Sequence, residues 1–441
     1  MSGTQLYTDL YAARSRTAAA AVADIRNGET LVVAMAAGHP PSLLAAIADR
    51  VRAGDLKGLS VYYKLAMQPM GDTLLSEGVL EKIDAHSFFV AGPDHKIERD
   101  QARTHVKQMS FVPINFSQIP HLFERQISVD TFVVTVSPMD KAGYFSLGTN
   151  NDYATTAARR CRRLIVEVNP KMPRVFGQSQ IHVSEVTALV ESNAPIPASP
   201  SSEPTAEART IGKLIAPLVP NGATVQLGIG KIPSGVAEAL ANHEDLGIHT
   251  ELFSPAMVQL IRAGTVTGRR KALHPHKHVF TVAIGDADTY DFMNDNGAVE
   301  SYASSYVNDV RVIAQNNDFV SINTAISIDL YGQVNAEFIG DHEYSGSGGQ
   351  FDFVKGASLA PNGKSIIALQ STAKHGTISS IVPRVQMVTD DRMDVEYVAT
   401  EFGVVYLRGK STKQRAEELI SIAHPHHQRE LRDAARRITL I

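Results

Sequence analysis

The run GIGKIPSG, residues 228–235, follows the apolar stretch ATVQL. A glycine-rich turn between a strand and a helix presents backbone N–H groups at a helix N-terminus, which suits a phosphate or an oxyanion. A dinucleotide site is disfavoured, because Pro233 stands at the third glycine position of G-x-G-x-x-G. The acid expected about 20 residues further on is at best Asp245. A turn that only packs fits the same residues. Glu251, in LGIHTELFS, is a carboxylate within a short segment of β character among apolar neighbours. A buried charge is costly unless paired or used, so Glu251 is either an ion-paired or capping residue or a reactive one. In EFIGDHEYSGSGGQFDFVKGA, residues 337–357, Gly346, Gly348 and Gly349 alternate with Ser345 and Ser347. Such a loop permits positive φ or close approach to a ligand, and Asp352 and Lys355 beside it fit a surface ion pair. Lys374, in STAKHG after IIALQ, is placed to meet a phosphate or a carbonyl, and a solvated lysine is the plainer reading.

Two histidine runs, His274/His276/His278 and His424/His426/His427, are broken by Pro275 and Pro425. Neither has an acidic or cysteine partner that would complete a metal set, so no metal is expected. Arg159, Arg160, Arg162 and Arg163 close a helix, where cations suit the dipole. Cys161 among them has no identifiable base.

Alternating strands and helices must position these residues. Leu31–Ala37, Ser60–Leu65, Ser87–Ala91, Asp130–Ser137 and Leu164–Val168 read as strands; residues 41–53 and 153–163 read as helices, the first opened by Pro40 and Pro41. NAPIPASPSSEPT, residues 193–205, is rich in Pro and Ser and fits neither a helix nor a central strand. The rhythm then resumes with a helix over 206–218 and strands at 224–227, 279–284, 319–322, 365–369 and 395–399. Further helices fall at 234–241, 411–422 and 428–437. The expected fold is therefore α/β, two domains with mainly parallel sheets: residues 1–193, a 194–206 linker, and 207–441.

The net charge of −4 argues against nucleic acid as a partner. The single cysteine fits a reducing compartment, and no signal peptide or apolar span of membrane length stands out. A cytoplasmic location is the expectation.

Taken in order, VSPMDKAGYFSLG (136–148), VNPKMPRVFGQSQIHVSEV (168–186), VQLGIGKIPSGV (225–236), LGIHTELFS (246–254), VIAQNNDFVSINTAISIDLYGQVNAEFIG (312–340), YSGSGGQFDFVKGA (344–357) and VEYVATEFGVVYLRGKS (395–411) span nearly the whole chain. The set resembles the acetyl-CoA hydrolase/transferase family, in particular the 4-hydroxybutyrate CoA-transferase-like branch of class I CoA transferases. The itaconate-handling branch is similar as well. The resemblance implies an active site at the cleft between two α/β domains and a homodimer or higher homo-oligomer. Coenzyme A is implied as co-substrate, with acyl-CoA and small carboxylic acids as partners and no metal or redox cofactor. It makes Glu251 the nucleophile. Gly228, Ile229, Gly230, Lys231 and Ile232 would serve CoA and an oxyanion hole, and Gly349 would contact the thioester or CoA, supported by Gly346 and Gly348. Lys374 would point to CoA, Ile326 would line its pocket, and Glu401 would be a second carboxylate.

Chemically, a carboxylate is a competent nucleophile toward an acyl-CoA when water is excluded. Transfer would run through a glutamyl-CoA thioester by ping-pong kinetics, with hydrolysis of acetyl-CoA as the alternative. Met35 departs from the pattern, standing where 4-hydroxybutyrate enzymes of the family carry a histidine. A thioether partners a substrate hydroxyl poorly, which turns the expectation toward acetate, propionate, butyrate, succinate or itaconate.

Overall fold

The computed structural model describes residues 3–199 and 202–441. Pro200 and Ser201, within the 194–206 linker segment, lie outside the described residues. The chain forms two compact units: the first takes the described residues up to Ser199 with Phe280–Tyr306 and His342–Gly346, the second the remainder.

The first unit carries a sheet of β1 (Thr30–Val33), β2 (Ser60–Tyr63), β3 (Asp84–Ser87), β4 (Met109–Phe111), β5 (Thr131–Val136), β6 (Arg163–Val168) and β7 (Ala188–Glu191). Their spatial order is β7-β6-β5-β1-β2-β3-β4, and every pairing is parallel. All of β5 and nearly all of β6 is buried, as expected where both faces of a parallel sheet are covered. Helix α1 (Pro41–Ala53) begins at the proline the sequence offers and stops at Gly54 in the left-handed region. Its Leu43, Leu44, Ile47, Ala48 and Val51 are buried, the spacing of one helix face. The chain leaves β1 toward β2 on one side and resumes at β5 on the other, which makes the carboxyl end of β1 a topological switch point.

Several strands are shorter than the sequence suggests, Ser60–Leu65 among them, which stops at Tyr63. The strand expected over Leu31–Ala37 stops at Val33, because Ala36 turns into the left-handed region with φ 48°. The strand expected over Ser87–Ala91 ends where it was to begin. The Asp94 carboxylate accepts from the Ser87 hydroxyl and the Ala91 N–H, closing a turn in place of a ladder.

The second unit holds β8 (Thr224–Leu227), β9 (Gly247–Phe253), β10 (Phe319–Thr324), β11 (Lys364–Ala368), β12 (Tyr397–Thr400) and β13 (Gly403–Tyr406). They run in the order β13-β12-β11-β10-β8-β9, parallel except for the β12–β13 hairpin. Here β8 is the switch strand, with β9 on one side and β10 on the other. Helix α2 (Ala206–Ile215) is capped by the Thr205 hydroxyl and ends in a 3₁₀ turn at Pro217, shorter than the 206–218 helix read from sequence. Helix α3 (Lys231–Ala239) starts three residues earlier than expected, at the close of the glycine turn. A Cβ at Gly212 would lie 2.3 Å from the Gly235 carbonyl oxygen and one at Gly235 2.5 Å from the Ala208 carbonyl oxygen, so both glycines serve the close packing of α2 on α3. Helix α4 (Gln350–Leu359) follows the second glycine loop. Among the described residues no helix is long and apolar enough to cross a membrane.

Candidate active site

Glu251 stands near the carboxyl end of β9, half-buried after four buried residues. Its Oε2 accepts a hydrogen bond of 2.8 Å from Asn308 Nδ2. Asn308 is fully buried, and its Oδ1 has no hydrogen-bond partner among the described residues. Gly349 completes the grip. A Cβ there would fall 1.8 Å from Glu251 Oε2 and 2.0 Å from Asn308 Nδ2, so any other residue would displace this pair. Its φ of −102° is open to any residue, so close approach and not backbone freedom demands the glycine. Gly349 is also the N-cap of α4, and the positive end of that helix favours negative charge at the carboxylate. Gly348, at φ 54°, supplies the left-handed turn that delivers Gly349.

The N-terminus of α4 is anchored from its other side. Gln350 Nε2 donates to Asp390 Oδ2 at 2.6 Å. Asp390 is fully buried, and burial raises its carboxyl to about 7. The pair of Asp352 with Lys355 does not form: Asp352 is buried, and Lys355 bonds Asp394 at 2.7 Å.

The first glycine turn lies at the same end of the sheet. The register Thr224↔Gly247 and Val225↔Ile248, carried forward, brings Gly228 level with Glu251. Gly228 N–H donates to Ile322 O at 3.0 Å, and Gly230 caps α3 at φ 107° with open space where a Cβ would be. Ile229 and Lys231 are exposed, and Ile232 is half-buried. Below the turn, the buried amides of Gln226 and Asn323 exchange two hydrogen bonds of 3.1 Å, joining the carboxyl ends of β8 and β10. Ile326 follows β10, half-buried, its N–H bonded to Asn335 O.

Of the remaining expected residues, Glu401 and Lys374 belong to the second unit. Glu401, after β12, accepts from both the N–H and the hydroxyl of Ser371. It thereby ties down the loop that leads to Lys374, which is exposed on a turn at φ 46°. Gly346 belongs to the first unit, where a Cβ would press on Phe89 and Phe111. Met35 is buried in the first unit at the carboxyl end of β1. In the second histidine run, His424 Nδ1 accepts from the His426 N–H, and His427 bonds Gly376 O. Among the described residues no three His, Cys, Asp or Glu side chains gather as for a metal ion. Burial pushes the Cys161 thiol up to about 12, which removes it as a nucleophile at neutral pH.

Asn308, Gln226, Asn323 and Asp390 are absent from the sequence reading. In sequence a buried amide looks like an exposed one, and Asn308 lies 57 residues from the carboxylate it holds. His249 carried a usable signal, two residues before Glu251 on a strand and so on the same face.

The site is thus a half-buried carboxylate at the carboxyl end of a parallel α/β sheet, gripped by an amide and the cap of a helix. Such an arrangement suits chemistry on activated acyl groups. Residues 2–199 match the acetyl-CoA hydrolase/transferase N-terminal domain, and residues 285–435 match the C-terminal domain of the same family. The 4-hydroxybutyrate coenzyme A transferase of Clostridium kluyveri is 39% identical over 95% of this chain and 96% of its own. The succinyl-CoA:cyclohexane-1-carboxylate CoA transferase of Geobacter metallireducens is 38% identical over 96% of this chain and 94% of its own. The crystal structure of RipA from Yersinia pestis superposes with a TM-score of 0.96 at 44% identity, covering 99% of this chain and all of that one. The chain belongs to the acetyl-CoA hydrolase/transferase family and is an enzyme of the CoA-transferase class.

Proposed function

We propose that the protein moves coenzyme A from acetyl-CoA or succinyl-CoA to a short-chain carboxylic acid of the butyrate, acetate, 4-hydroxybutyrate or itaconate kind, through a glutamyl-CoA thioester on Glu251. The observation that carries this is the grip on Glu251. Asn308 holds Oε2, while Oε1 has no protein partner among the described residues. Oε1 attacks the thioester carbonyl, the C–S bond breaks, and the CoA thiolate leaves a mixed anhydride. The thiolate then attacks the glutamyl carbonyl carbon. The negative charge develops on Oε2, where Asn308 Nδ2 already donates, and collapse expels the first acid as its carboxylate. The incoming carboxylate reverses these steps. A positioned donor of this kind is worth about 10²–10³ in rate.

In this reading Gly349 and the cap of α4 add to the oxyanion site, and the Gly228–Ile232 turn and Lys374 meet the CoA phosphates. Glu401 acts at one remove, by fixing the loop before Lys374. Ile326 lines the CoA pocket and Met35 the acid pocket. We place the reaction in the cytoplasm and the working enzyme as a homo-oligomer, with residues 1–193 and 207–441 as its functional halves. Hydrolysis is the second reading, favoured by the partial exposure of Glu251, which leaves the acyl-enzyme within reach of water.

The deciding experiment mixes the protein with acetyl-CoA or succinyl-CoA and no acceptor. A CoA adduct on the peptide carrying Glu251, found by intact mass and peptide mapping, supports transfer. Steady release of CoA without an adduct favours the hydrolase, and neither adduct nor turnover across a panel of donors overturns both.

A further inference from the structure

His249 sits two residues before Glu251 on β9, so the pleat puts both side chains on one face. It is fully buried. Its Nε2 lies 2.8 Å from the carbonyl oxygen of Val307, the residue immediately before Asn308. A carbonyl only accepts, so Nε2 carries the hydrogen. Nδ1 is then the bare nitrogen, and it has no hydrogen-bond partner among the described residues. The other flank of the imidazole meets α4. The ring packs edge-on against Phe353 (centroids 6.4 Å apart, planes at 63°) and against Phe319 of β10 (6.1 Å, 77°). Phe353 in turn donates its N–H to Gly349 O at 3.0 Å. One imidazole therefore touches the neighbour of each residue that grips Glu251: Val307 beside Asn308, and Phe353 one turn beyond Gly349.

We propose that His249 is a positioning residue, which as the neutral Nε2–H tautomer holds Asn308 and the Gly349 cap of α4 against the Glu251 carboxylate. Phenylalanine would fill the same space but would leave the Val307 carbonyl unpaired and the 307–308 segment able to shift. A protonated imidazole would bury an unpaired N–H at Nδ1. The surroundings prevent this: burial, with the Lys271 ammonium nearby, lowers the imidazole to about 3. Lys271 Nζ is held by the carbonyls of Ile248 and Lys277 at 2.8 and 2.7 Å. The histidine thus stays neutral at neutral pH, and its Nε2–H bond to Val307 O is kept there.

The kinetic part of the test rests on Glu251 acting as the nucleophile, and the structural part does not. His249→Phe is expected to lower kcat for CoA transfer by about a hundredfold, the scale of a misplacement near 1 Å, with KM for acyl-CoA unchanged. His249→Gln, whose amide reaches Val307 O, restores most of the rate. On an Asn308→Ala background His249→Phe adds little, because two residues acting through one contact are not additive. Should His249→Phe fail to fold, His249→Asn, too short to reach Val307, replaces it. A folded His249→Phe within about twofold of the parent, or a folded His249→Gln as impaired as His249→Phe, overturns the proposal. Crystal structures of the variants decide it independently of the reaction. The Asn308–Glu251 hydrogen bond is expected to be lost in His249→Phe and kept in His249→Gln, and an unchanged contact in both overturns the assignment. If the parent enzyme neither transfers CoA nor forms the adduct, the reading of its function fails, and the crystallographic comparison still rules on His249.

Discussion

The carboxyl ends of β1 and β9 belong to the same kind of sheet and carry opposite chemistry. After β1 comes a neutral turn. Met35 is buried, Ala36 is left-handed, and His39 is buried with both ring nitrogens unpartnered among the described residues, burial lowering it to about 3. Near the end of β9 stands a carboxylate with a donor on one oxygen and a helix cap pressed against it. A neutral, close-packed turn sets shape and so suits choice of substrate. A gripped anion sets reactivity. Both features lie at carboxyl strand ends, where α/β sheets bind ligands, and side-chain charge distinguishes them; in the proposed reading the first selects the acid and the second reacts.

The sharpest way to break this comparison is Glu251→Gln, which keeps the shape and removes the proposed nucleophile. Transfer is expected to fall by about 10⁴ or more and the CoA adduct to vanish. Binding of CoA, measured by calorimetry, should persist. Next comes Gly349→Ala, whose Cβ has no room beside Oε2 and Asn308. Its kcat should drop by about 10²–10³ while circular dichroism shows a folded protein; an unimpaired variant would remove Gly349 from the site. Met35→Ala tests the other side. It should shift kcat/KM between a short and a longer acceptor acid by about tenfold or more, the worth of roughly one methylene in an apolar pocket. Adduct formation on Glu251 should continue. An unchanged acceptor profile would deny Met35 its role.

The smallest effect concerns pH and takes one carboxyl from each unit. Asp94 in the first and Asp390 in the second are both raised by burial from an ordinary value of 3.8 to about 7. The folded protein then binds a proton that the unfolded chain releases. The stability tied to that proton is full below about pH 4 and is lost as pH rises toward 7. Thermal melts should thus show stability falling between pH 4 and 7, and Asp390→Asn should flatten part of that slope. Asp390→Asn should also lower kcat modestly, because Asp390 holds Gln350 at the start of α4. Asp94→Asn should flatten the slope with no such cost in rate. Equal losses in kcat would erase the distinction between the units.

Local chemistry made much of this legible. Pro41 opens α1, Gly54 closes it, and the buried run of β5 reads as a strand covered on both faces. Glu251 stood out as a carboxylate among apolar residues, and the glycine turn fell between β8 and α3 as its pattern requires. Strand ends were less legible. Nothing local announces that Ala36 turns left-handed or that Asp94 collects the N–H of Ala91.

By itself the sequence determined the alternation of elements, the parallel α/β class, the family, and the candidate nucleophile. Each of these is written in neighbouring residues, through periodicity, turn chemistry and motifs. Only the tertiary structure decided that Phe280–Tyr306 joins the first unit, that Asn308 reaches Glu251 across 57 residues, and that Gly349 is glycine for want of room. Burial and contact depend on where distant segments come to rest, and a polar side chain has the same letter whether it faces solvent or holds a nucleophile in place.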